Sequence, residues 1–167
     1  MATVIEKNDI PAWKREDKNE VSPDEIYVHC YISKKGTVIL DGNDQNGKEA
    51  LINRLLTQSD KKILKVNGEA ILNRVLKKTT YSINKSPDII DESDTDVIVI
   101  SQMDLFSTRT YARRMAGEVI SDIGKNTLVI LLTDDINKKY AGMYERITSD
   151  KLYVKCETLK KVIAHVL

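Results

Sequence analysis

The sequence predicts an α/β domain built on a five-stranded, mainly parallel sheet with helices on both faces. Three observations predict it. Val97-Ile98-Val99-Ile100 and Leu128-Val129-Ile130-Leu131-Leu132 are unbroken apolar runs, as a strand buried on both faces of a parallel sheet requires. Stripes at helical spacing fall between such runs, for example Leu51, Ile52, Leu55 and Leu56. A glycine-bearing turn, from Gly42 to Gly47, joins an apolar strand to the first of those helices.

Bulk composition fits one globular domain. The 167 residues are 41% hydrophobic and 31% charged, enough length and apolar content for a core. The net charge of +1 gives no overall field toward nucleic acid or anionic lipid, leaving only a local basic face open. Cys30 and Cys156 lie far apart without metal-ligand spacing and read as reduced thiols of a cytoplasmic protein. No run approaches the roughly 18 apolar residues of a membrane span, and the start lacks the layout of a signal peptide.

Taken in order, residues 1–25 read as a flexible, charge-mixed tail carrying Pro11 and Pro23. The tail holds Trp13, the sole Trp. It is either a docking anchor for a protein partner or a ring folded back onto the domain. The domain proper spans 26–167. Residues 26–32 are a short strand or irregular lead-in, and 37–40 a strand. A helix covers about 47–57, a strand 62–66, and a helix follows the turn at Asn67-Gly68-Glu69. Residues 77–95, with Pro87, form a polar loop. The strand at 96–100 leads to a helix at about 108–123, stopped by Gly124. After the strand at 126–132, Asp134 and Asp135 cap a helix reaching about Arg146. Residues 151–155 are the last strand and 157–167 the last helix.

The turn itself carries chemistry. Gly42-Asn43-Asp44-Gln45-Asn46-Gly47-Lys48 has the frame of a phosphate-binding loop between strand and helix. Glycines let backbone N–H groups face phosphates, the helix N-terminus favours an anion, and Lys48 would add a point charge. Glu49 stands where the motif needs a Mg²⁺-binding Ser or Thr, and Asp44 lies inside the loop, so two carboxylates face any triphosphate.

On this motif and element order the chain resembles a P-loop NTPase of the AAA+ type, in particular the initiators, helicase loaders and clamp-loader subunits of DNA replication. The resemblance covers about 26–167 and implies a three-layer P-loop NTPase-like domain. The small helical lid of that class is not expected, because the sequence ends at Leu167. It also implies nucleotide binding at Gly42, Gly47 and Lys48, a γ-phosphate sensor at Thr133, and an arginine finger near Arg146. The Asp-Glu pair expected after the third strand is replaced by Ser101-Gln102, which cannot hold metal or orient water. Arg109 and Arg113 share one helix face, with Arg114 roughly 100° away, and are candidates for nucleic-acid phosphates. No nucleophile triad, acid pair or metal cluster stands out, so no catalytic residue and no metal site is assigned.

Three functions therefore stand. The first is a catalytically degenerate AAA+-like subunit that acts through a protein partner in a replication machine, with DNA as a second candidate partner. The second is an ATP- and Mg²⁺-binding ATPase or nucleotide sensor using the Gly42–Lys48 loop. The third is an interaction protein outside replication that inherited the fold.

Overall fold

The computed structural model describes residues 3–7, 10–17, 19–79, 90–159 and 162–166. The chain begins with β1 (Thr3–Lys7), β2 (Ile10–Arg15), the two-residue β3 (Glu20–Val21) and α1 (Pro23–Ile32). Next come β4 (Gly36–Asp41), α2 (Gln45–Gln58), β5 (Ile63–Asn67) and α3 (Gly68–Thr79). Residues 80–89, inside the expected polar loop, lie outside the described residues. Then follow β6 (Val97–Ser101), α4 (Thr110–Gly124) and β7 (Leu128–Thr133). The short helices α5 (Ile136–Lys139) and α6 (Met143–Arg146) precede β8 (Lys151–Leu159) and β9 (Val162–Val166).

Seven strands form one mixed sheet in the order β3-β2-β8-β4-β7-β6-β5. Strands β8, β4, β7, β6 and β5 run parallel; β2 is antiparallel to β8, and β3 to β2. Strands β1 and β9 form a separate antiparallel pair. This corrects the expected five-stranded, mainly parallel P-loop layout: the sheet is larger and mixed. The expected tail supplies the added strands. Within β2 only Trp13 is fully buried, so the two-residue alternation that marks a strand is nearly invisible in its sequence. Pairing of all six residues with Ile10↔Leu159 through Arg15↔Val154 makes it a strand.

Two other expectations change. Residues 26–32 belong to a helix, α1. Ser22 caps it, accepting from Glu25 N–H, with Pro23 in the first turn and Asp24 and Glu25 favouring the helix dipole. Residues 157–159 and 162–166, expected in a helix from 157, are instead the last residues of β8 and the strand β9. Val154 and Cys156 are buried two apart, a strand period, and their pairing with β2 fixes it.

Alternation within the central strands divides the core. Ile98, Ile100, Val129 and Leu131 pack with α3 and α4 residues such as Ile71, Val75, Val119 and Ile120. Val97, Val99, Leu128 and Ile130 pack with Ile26 and Cys30 of α1, Leu51 and Leu55 of α2, and Trp13. Among the described residues no helix is long and apolar enough to cross a membrane.

Candidate functional site

The loop from Gly42 to Lys48 connects the carboxyl end of β4 to α2. Strand β8 runs hard against it. Gly42 has φ +137°, and a Cβ there would lie 1.9 Å from the Cys156 carbonyl oxygen, so only glycine fits. The loop amides are largely consumed within the protein. Gly42 N–H donates to the Thr133 carbonyl (3.1 Å), Asp44 N–H to the Cys156 carbonyl (3.2 Å) and Gln45 N–H to the Asn43 carbonyl (2.9 Å).

Asp44 occupies the helix N-terminus. It is the N-cap of α2, 2% exposed, and its Oδ1 accepts from Gly47 N–H at 3.0 Å. The Trp13 indole Nε1–H donates to the same carboxylate at 2.6 Å. A Cβ on Gly47 would fall 2.2 Å from Asp44 Oδ2, so this glycine admits an internal carboxylate. A fixed anion at a helix N-terminus meets the electrostatic demand that a phosphate would otherwise satisfy.

Lys48 is turned inward. It is 1% exposed, and its ammonium donates to the carbonyls of Gly42 (2.8 Å) and Thr133 (2.7 Å). Burial pulls its pKa below the ordinary 10.5, with Cys156, Asp41, Asp134 and Asp44 acting the other way. The Thr133 hydroxyl donates to Asp41 Oδ1 at 2.7 Å. Asp41 also accepts from Ile136 N–H (2.9 Å) and the Tyr153 hydroxyl (2.6 Å). This buried carboxylate ties β4, β7, α5 and β8 together at the end of the sheet that bears the loop.

A cleft of about 530 Å³ opens beside the loop. Glu49, Lys65, Ser101, Gln102, Asp104 and Tyr140 contribute to its walls. Ser101 ends β6, and Gln102 takes a left-handed backbone, φ 55° and ψ 54°. The Tyr140 hydroxyl donates to Asp104 (3.2 Å). With Asp134 also on the wall, three carboxylates face Lys65 and the withdrawn Lys48, a poor electrostatic match for a triphosphate. Among the described residues no group of three or more His, Cys, Asp or Glu is placed to hold a metal ion.

The structure thus brings Trp13, Gly42, Gly47, Lys48 and Thr133 to one end of the sheet, but with the two side chains meant for phosphate turned away. The arginines do not join them. Arg146 pairs with Glu118 (3.0 Å). Arg113 braces α4, donating to the carbonyls of Ser107 (3.1 Å) and Lys139 (3.2 Å) and to Thr110 Oγ1 (3.1 Å). The aliphatic part of Arg114 lies against Gly142, and Arg109 is exposed at the start of α4. None of the four lines the cleft. Sequence reasoning missed Asp41, Tyr153 and the role of Asp44. The spacing of Asp44 three residues before Gly47 is an N-cap signature that would have found the last.

Four weak acids, three buried and one half-buried, make the fold sensitive to alkali. Burial pushes the Cys30 thiol up to about 12, and raises Cys156, Tyr140 and Tyr153 as well. The unfolded chain releases these protons near the ordinary 9.0 for Cys and 10.0 for Tyr, while the fold retains them. The stability they contribute is complete below the unfolded values and is lost as pH climbs toward the folded ones. For Cys30 alone the slope approaches about 1.4 kcal/mol per pH unit above its unfolded value. The urea midpoint should therefore fall between about pH 8 and about pH 10.5; an unchanged midpoint would contradict the burial of these groups.

Comparison of this chain with family models and with curated proteins returned no match.

Proposed function

We propose that this chain is a catalytically degenerate, AAA+-like protein-interaction subunit that works by contact with other macromolecules and not by a nucleotide cycle. One observation carries the reading: the Asp44 carboxylate and the Lys48 ammonium are both spent inside the loop that would hold a nucleotide. Ser101 and Gln102 at the end of β6 support it, since neither offers the charge that Mg²⁺ or an attacking water needs. The motif's resemblance to helicase loaders and clamp-loader subunits supports a place in a DNA-replication machine. Two free, buried thiols, Cys30 and Cys156, support a cytoplasmic setting.

The nucleotide-sensing alternative requires Asp44 to leave the helix N-terminus and Lys48 to leave two carbonyls. Calorimetric titration with ATP and ADP, with and without Mg²⁺, separates the two readings. The expected result is no binding heat at millimolar nucleotide. Micromolar binding that disappears in Lys48→Ala would overturn the proposal and restore the sensor.

A further inference from the structure

Helix α1 carries apolar residues around most of its circumference, interrupted by Asp24, Glu25 and His29. Ile26 and Cys30 enter the core fully buried. Tyr27 and Tyr31 stack at 6.3 Å, with the Arg54 guanidinium 3.9 Å over the first ring and the Lys61 ammonium 5.8 Å over the second. The remaining face carries Val28, 49% exposed, and Ile32, 68% exposed, one helical turn apart. An exposed apolar pair of this kind marks a contact surface, and the two residues border a groove of about 540 Å³ that Asp24, Glu25, His29 and Ser33 also line and that Arg15 closes on the β2 side.

The charges at the two ends of this helix are polarised. Asp24 and Glu25 lie in the first turn of α1. Lys34 and Lys35, both exposed, follow its last residue. Asp24 meets Arg54 and Glu25 meets Arg15 within the chain, yet the two acidic side chains stay 80% and 60% exposed, which leaves each able to take a second cation. A surface that is acidic at one end, apolar in the middle and basic at the other is complementary to itself when turned end for end.

We propose that the outer face of α1 docks against α1 of a second copy of this chain, antiparallel, about a two-fold axis midway between Val28 and Ile32. Val28 then covers Ile32 of the other copy, and each acidic end meets a basic end. The opposed helix dipoles agree with that orientation. One ten-residue helix per side places the contact at the small end of specific interfaces, below about 1,200 Å². The dimer is accordingly reversible, with a Kd on the order of 1–100 μM.

Sedimentation velocity of the whole chain across that concentration range tests this. The wild type should pass from monomer to dimer, and Ile32→Asp should stay monomeric with an unchanged circular-dichroism spectrum. Asp24→Lys/Glu25→Lys and Lys34→Glu/Lys35→Glu should each weaken self-association by about tenfold or more. An equimolar mixture of the two should dimerise again, because both ends of the mixed pair are then attractive. A wild type that remains monomeric overturns the proposal. So does a dimer unaffected by Ile32→Asp, or a mixture that stays monomeric. Nucleotide binding is not read in any arm, so this proposal and the functional one fail independently.

Discussion

Replacing Lys48 by Ala is expected to cost about 3 kcal/mol of folding free energy while changing nucleotide binding not at all. In a working phosphate loop the lysine is held ready for a ligand, and its removal abolishes binding with little effect on the fold. Here the side chain is 1% exposed and its ammonium is bonded to two carbonyls. Truncation empties the space under the loop and removes the donor to the Gly42 carbonyl; the Thr133 carbonyl keeps the Gly42 N–H. Lys48→Met separates packing from hydrogen bonding, since it keeps most of the volume, and should cost about 1–2 kcal/mol at neutral pH. The pH dependence has a definite sign. The Lys48 pKa is lowered in the fold, so the unfolded chain binds more protons and this group's contribution improves as pH rises toward 10.5. The advantage of wild type over Lys48→Met should therefore widen with pH; alkaline groups away from Lys48 cancel in the difference, whereas the Cys156 thiol is coupled to it. Urea unfolding of the three proteins at several pH values measures it. Unchanged midpoints in both variants would mean that Lys48 is free, and the closed-loop reading would fail with it.

What the sequence makes legible follows from where its information is local. Val97–Ser101 and Leu128–Thr133 are strands because a strand buried on both faces has no polar residue to confuse the pattern. The strand-turn-helix is legible because Gly42 is demanded by backbone geometry and Gly47 by the neighbouring Asp44 side chain, both within a few residues. Residues 26–32 misled for the same physical reason that makes α1 unusual. Apolar residues spread around most of the helix blur the 3.6-residue period, leaving Ser22-Pro23-Asp24-Glu25 as the clearest helix signal. Strand β2 and the extension of β8 take their conformation from pairing with each other, 143 positions apart at Trp13↔Cys156 and 145 at Ala12↔Glu157, and no local window contains that. The site divides likewise. That Asp44 and Glu49 sit badly beside a phosphate is visible in the residues. That Asp44 resolves the conflict by turning inward, while Glu49 stays exposed and accepts from Gln45 at 3.3 Å, depends on an indole contributed from β2.

That indole is the second large effect. Trp13→Ala is expected to destabilise the fold by about 3–5 kcal/mol, the range for a buried aromatic removed from a core. Trp13 is 1% exposed and packs with Leu40, Val154 and Cys156 in the core on the α1 and α2 side of the sheet. Trp13→Phe keeps most of that packing and deletes only the N–H that reaches Asp44, so its cost should be about 1.5–3 kcal/mol, the range for a hydrogen bond to a charged group. Circular dichroism in urea reads both, since the only Trp is lost as a fluorescence probe in the variants. The graded series bears on function. A partner that docked onto Trp13 would have to strip β2 from β8, breaking the register from Ile10↔Leu159 to Arg15↔Val154 and uncovering the Asp44 carboxylate. Loss of partner binding in a Trp13 variant is then a consequence of unfolding, and it should track the stability loss across Phe and Ala. A Trp13→Ala protein that keeps its wild-type urea midpoint yet no longer binds its partner would reverse that order of cause and make the indole the anchor.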